Sequence, residues 1–160
     1  MIKTMMSIGF VLVASGVAGT VCNAEGAIRI SRVADQQSVV GSPKNFIGRV
    51  RVDQAFAGES PSRINGAMVT FEPGSRTAWH VHPLGQTLII ISGVGRIQEW
   101  GGPILELHPG DVVWIPPGVK HWHGAGAVQG MSHIAISEKL DGRSVDWQEP
   151  VSDEQYGAKN

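Results

Sequence analysis

His80-Val81-His82, with Gln86 shortly after and His121 further along, is the part of this chain whose residue types and spacing can do chemistry. Side chains alternate between the two faces of a β-strand, so His80 and His82 aim their imidazoles into the same space. Two such imidazoles clamp a divalent cation. Gln86 and His121 close the clamp where the fold brings their strands alongside, giving three neutral nitrogens and one amide oxygen as ligands. With no carboxylate among the four, the ion keeps its full double charge and is a stronger Lewis acid than a site containing Glu would make it. Oxygen plus imidazole ligation suits Mn(II) first and Fe(II) next; Zn(II) or Ni(II) bind such a site as well or better and are expected in purified protein. Two more histidines belong to the same constellation. His123 shares a strand face with His121, and His133 shares one with Met131 and Ala135. Either can line the pocket without binding metal and serve as a general base.

The elements that must position these residues are short strands punctuated by Gly and Pro. Alternating apolar and polar residues predict strands over 27–33, 46–53, 67–71, 77–82, 87–92, 95–100, 104–107, 111–115, 121–124 and 131–137. Helical signal is confined to 141–156, where Ser152 and Gln155 have the spacing of a capping box. The chain therefore reads as all-β, a barrel or sandwich. Glu72-Pro73-Gly74-Ser75 and His108-Pro109-Gly110-Asp111 each place Pro then Gly centrally, as a type II turn requires, and Pro116-Pro117-Gly118 forms a stiff connection that presents His121. His108 is a solvated turn residue without a role in the site. If His80, His82 and His121 point inward, Trp79, Val81 and Trp122 point outward. That apolar outer surface is covered either by the N-terminal strands of the same subunit or by a partner subunit, and a homo-oligomer is the expected outcome.

Length and charge narrow the class. At 160 residues the chain suits one domain with its own core. The formal net charge of -1, without a Lys/Arg cluster, gives no footprint for nucleic acid or an anionic membrane surface; a small-molecule substrate fits better. Residues 1–24 differ from the rest: Lys3 precedes a small apolar stretch over 8–18, and Cys22-Asn23-Ala24 offers a cleavage site, so a removed signal peptide and a periplasmic or secreted mature protein are expected, with no membrane attachment after removal. Val21 before Cys22 is bulkier than a lipid-anchoring site prefers. Cleavage after Ala24 leaves no cysteine, hence neither disulfides nor thiolate chemistry. The remaining layout is 25–64 as N-terminal strands packing on the barrel, 65–137 as the metal-binding core and 138–160 as a C-terminal tail.

Gly74, His80-x-His82, Gln86 and Gly93, followed by Gly110, Pro116-x-Gly118 and His121, resemble the two-part signature of the cupins. Gln86 stands where most cupins carry Glu, and Ala125 where the second motif often ends in Asn. The resemblance sharpens through Phe71-Glu72-Pro73-Gly74-Ser75-Arg76-Thr77-Ala78-Trp79-His80, His82-Pro83-Leu84-Gly85-Gln86, Lys120-His121-Trp122-His123-Gly124-Ala125 and Asp153-Glu154-Gln155-Tyr156. These stretches look like the bacterial manganese-dependent cupin-type hydroxynitrile lyases and their uncharacterised relatives. That resemblance implies a cupin jelly-roll β-barrel, with metal at His80, His82, Gln86 and His121 and substrate beside His123 and His133. It further implies a dimer or tetramer, and cleavage of a cyanohydrin by a Lewis acid with a histidine base. Two other classes stay open at this point: a ferrous-iron dioxygenase of the cupin type, and a non-catalytic periplasmic cupin that holds a small ligand on its metal.

Overall fold

A computed structural model describes residues 27–157, so the signal-peptide reading of residues 1–24 lies outside the described residues. The expected strand over 27–33 is not formed: the chain there is irregular up to a single 3-10 turn at Val33–Asp35, with Ile28 and Ile30 exposed. Alternation says which side chains would share a face but does not specify an edge to pair with, and a strand forms only where its backbone groups are paired.

From Val39 onward the chain is antiparallel β-structure. In chain order the strands are β1 (Val39–Val40), β2 (Phe46–Ile47), β3 (Val50–Ala57), β4 (Ile64–Phe71), β5 (Arg76–Thr77), β6 (His80–Val81) and β7 (Gln86–Gly93). They continue as β8 (Gly95–Glu99), β9 (Ile104–Leu107), β10 (Val112–Ile115), β11 (His121–Ala125), β12 (Met131–Glu138) and β13 (Asp146–Trp147), and a short helix α1 (Asp153–Gly157) ends the described chain. One sheet runs β1-β3-β4-β12-β7-β10; the other runs β13-β6-β11-β5-β2, with β8 on β11 and β9 on β8. Val50, Val69, Phe71, Leu88, Ile90, Ile97, Leu107, Ile115, Ala125 and Met131 form the apolar core. This is the jelly-roll architecture the strand pattern and the motif spacing predict.

Two of the expected strands are interrupted. The 46–53 stretch breaks at Gly48, whose φ of 82° and close approach to the Ser75 side chain admit no Cβ. The 77–82 stretch breaks between β5 and β6, where the Trp79 N–H donates to the Glu149 carbonyl at 2.9 Å and the Trp79 carbonyl accepts from the Gln148 N–H at 2.8 Å. The predicted turns are present: Ser75 N–H donates to Glu72 O at 2.9 Å and Asp111 N–H to His108 O at 3.0 Å, with Gly74 and Gly110 at positive φ. His108 is exposed in its turn and pairs with Glu106.

Of the expected apolar outer surface, Val81 is half-buried and the two tryptophans are buried, and the N-terminal strands are not what buries them. Trp79 is 2% exposed and Trp122 0%, packed with Val151, Ile104 and Tyr156. The C-terminal tail provides the cover. Trp79 Nε1 donates to Gln155 Oε1 at 3.2 Å, the Trp122 and Tyr156 rings lie 5.6 Å apart, and Tyr156 OH donates to the Ala125 carbonyl at 2.9 Å. Buried Arg76 latches the tail by donating to Val151 O and Asp153 Oδ1 while stacking on the Tyr156 ring. The capping box is formed as predicted, with Gln155 N–H to Ser152 Oγ at 3.2 Å and Ser152 N–H to Gln155 Oε1 at 2.9 Å. That box fixes the start of the helix whose Gln155 and Tyr156 lie over the tryptophans. The pair Trp79 and Trp122 therefore offers no surface to a second subunit.

Candidate metal centre

Strand pairing assembles the histidines. On β11, His121 lies directly opposite His80 of β6, and β6 also pairs with β13, which sets Trp147 across from His80. Gly124 further along β11 lies opposite Arg76, and a Cβ there would overlap the Ser75 carbonyl and come within 2.6 Å of the Arg76 Cα, so β11 approaches β5 at a distance only Gly permits. The ligand nitrogens of His80, His82 and His121 lie within 4.8 Å of one another, and all three residues are buried. Gln86 enters from the other sheet at the start of β7, its Oε1 3.4 Å from His121 Nε2. The clamp thus closes across the two sheets.

The orientation of each ring is set by a backbone carbonyl. His80 Nδ1 lies 2.9 Å from Ala78 O, His121 Nδ1 2.9 Å from Val119 O, and His82 Nδ1 2.5 Å from Ser144 O. A carbonyl can only accept, so each Nδ1 carries the proton and each Nε2 presents a lone pair. His82 Nε2 is buried without a hydrogen-bond partner. Such an atom is costly to leave unsatisfied, and coordination to a cation satisfies it. Burial also holds all three imidazoles in the neutral, ligating form. It pushes His121 down to about 4 and His80 well below the ordinary histidine value; it lowers His82 as well, against the Ser144 carbonyl and the Asp146 carboxylate. Donor type, free lone pairs, protonation state and convergence all fit a divalent cation, and the carbonyl partners supply the outer shell that such ligands ordinarily have.

His123 and His133 meet at the inner end of the cavity from opposite sheets. His133 Nε2 lies 3.2 Å from His123 Nδ1, and the His123 N–H donates to Thr77 Oγ1 at 3.1 Å. Neither joins the three-histidine cluster, although the His80 and His123 ring centroids are 5.3 Å apart. Burial pushes His133 down to about 3 and His123 well below its ordinary value, so both are neutral at pH 7. His133 Nδ1 is buried without a hydrogen-bond partner.

These groups line a cavity of about 590 Å³, within the range of small-molecule sites. His80, His82, Gln86, His123 and His133 form its polar end, and Phe46, Val52, Phe56, Ala67, Val69 and Trp147 are among its apolar walls. Sequence reasoning missed two contributors, Ser144 and Trp147. Trp147 packs on His80 with ring centroids 4.8 Å apart. Both come from the tail, where no periodicity marks them as part of a site that lies far back in the chain.

Neutral ligation is expected to matter for rate. Gln86→Glu keeps a ligating oxygen but adds a negative charge that offsets part of the cation's. The variant is expected to retain metal and to show a lower turnover per bound metal ion, measured against metal content in the same preparation.

A double-sheet β-jelly roll with a buried three-histidine cluster inside the barrel defines a metal-binding cupin. The chain belongs to the cupin family: the Cupin domain model matches residues 67–131, and a curated relative is 56% identical over 129 residues, covering 81% of this chain and 98% of its own. That relative is the (R)-mandelonitrile lyase of Granulicella tundricola. Among solved structures, a cupin-like protein of Thermotoga maritima is 41% identical with a TM-score of 0.69, covering 73% of this chain and 89% of its own. A cupin-2 domain of Rhodospirillum rubrum, 15% identical with a TM-score of 0.61 over 80% of this chain and 83% of its own, shares the fold.

Proposed function

We propose that this chain is a metal-dependent lyase of the hydroxynitrile lyase type, cleaving or forming a small cyanohydrin. One observation carries the reading most directly: a pair of buried, neutral histidines, one with an unpartnered nitrogen, shares an apolar cavity with His80 and His82 of the three-histidine cluster. The identity to a mandelonitrile lyase over most of both chains supports the same reaction class.

His80, His82, His121 and Gln86 would hold the cation, with Mn(II) the ion favoured by an oxygen and imidazole set. A divalent ion held there supplies Lewis acidity toward an oxygen function of the substrate. The remaining steps belong to side chains. The apolar walls seat the organic group and exclude water, which strengthens each polar contact inside. His133 accepts the hydroxyl proton at Nδ1. The O–H electron pair closes into the carbonyl, the carbon–carbon bond breaks, and its electron pair leaves with cyanide. The proton then passes from His133 to cyanide, restoring the neutral imidazole. His123, 3.2 Å from His133 Nε2, holds the ring in place and fixes which nitrogen is free.

The test is an assay of purified protein of measured metal content against mandelonitrile, in the presence and absence of oxygen. Release of benzaldehyde and cyanide in proportion to bound metal, unchanged without oxygen, is the expected result. Oxygen uptake with an iron-loaded sample and no cyanide release would move the chain to the dioxygenases, and recovery of intact ligand after long incubation would make it a binding protein.

A further inference from the structure

The inner face of β12 carries His133, Ala135 and Ser137 in alternation, and Lys139 continues that file just past the strand, its N–H donating to the Arg63 carbonyl at 3.0 Å. On β4 the residues opposite are Val69, Ala67 and Asn65. These seven residues line the cavity and grade it: histidine at the inner end, two alanines, then a polar row. Ser137 Oγ donates to Asn65 Oδ1 at 2.9 Å, which fixes the Asn65 carbonyl and leaves its NH₂ group as a donor. Gln86 lies opposite Ser137 on β7, so this polar row borders the ligand cluster on one side and the exposed rim on the other.

Lys139 is the single Lys, Arg, Asp or Glu among the described residues lining the cavity. Its neighbours Arg63 and Glu138 pair with each other at 3.2 Å, and Lys139 has no ion pair among the described residues. No carboxylate lines the cavity, and all four ligand side chains are neutral. The lining therefore includes one cationic residue, exposed at the rim, and no carboxylate. A charge-assisted hydrogen bond from an ammonium to a carboxylate is about twice as strong as a neutral one.

Resting on the lyase reading above, we propose that the substrate is an apolar aldehyde or ketone, or its cyanohydrin, that bears a carboxylate remote from the reacting carbon, and that Lys139 with Asn65 selects it. The apolar body spans the Ala67 and Ala135 level, the reacting carbon sits by His133 and the ligand cluster, and the carboxylate reaches the rim.

Titration calorimetry of the metal-loaded protein with 4-carboxybenzaldehyde and benzaldehyde tests this, together with KM for the two cyanohydrins. Wild type is expected to bind the carboxylated probe about tenfold more tightly, a preference that K139M abolishes and K139R restores, with benzaldehyde binding unchanged throughout. Equal binding of the two probes by wild type overturns the inference. So does a preference that survives K139M, since the carboxylate would then be held at the ligand cluster. Absence of cyanohydrin cleavage alongside the expected binding pattern removes the lyase reading and leaves the anion-selective cavity standing.

Discussion

Replacing His80, His82 and His121 together by Ala is expected to reduce metal content from about one ion per chain to background and to abolish cyanohydrin cleavage, with the β-structure retained. The first part follows from convergence: these residues supply all three ligand nitrogens, and Gln86 alone offers one weak oxygen donor. The second follows from the separation of site and core. The apolar cluster built around Val69, Phe71, Leu88, Ile90 and Ile115 contains no ligand side chain and gains its stability from burial, independently of an ion. Each truncation removes a buried ring and leaves a void, so a fall in melting temperature accompanies the loss of metal. Elemental analysis and far-UV circular dichroism on the same sample check both parts. A triple variant that kept stoichiometric metal would remove these residues from the site.

His133→Ala is expected to lower kcat by about 10²–10⁴-fold at unchanged metal content, the span a positioned general base contributes. His123→Ala is expected to lower it by no more than that. The two histidines differ in what their nitrogens face. His123 sits two residues from ligand His121 on the same strand and gives its Nδ1 to His133. His133 approaches from the opposite sheet and keeps Nδ1 unpartnered. A base must take the proton without displacing the substrate oxygen, and a residue on the facing wall meets that condition more readily. His133→Gln, which keeps most of the side-chain volume, separates loss of the base from collapse of a fully buried position. Losses below tenfold in both His133→Ala and His123→Ala would assign proton transfer to another group.

Much of the site was legible because its signals are local. Side chains two apart on a strand share a face whatever the strand packs against, so His80 with His82 and His121 with His123 could be paired from the chain alone. Pro-Gly turns and the Ser152–Gln155 box are likewise settled within four residues, and both are present in the structure. The 27–33 stretch and the outward tryptophans show where such reasoning stops. In both cases the face was assigned by alternation, while the outcome depended on pairing and packing that alternation does not specify: the first forms no strand, and the chain's own tail covers the second.

The sequence by itself determined the all-β class, the turns, the ligand types and the two histidines beside them, because period, spacing and chemistry are properties of short stretches. The tertiary structure decided which segments meet. It set Gln86 against His121 across two sheets, brought Ser144 and Trp147 back to hold His82 and His80, folded Val151 and Tyr156 over Trp79 and Trp122, and put Lys139 at the rim of the cavity. Those contacts join residues far apart in the chain, and each depends on the shape and free edges of the rest of the barrel, which no local pattern records.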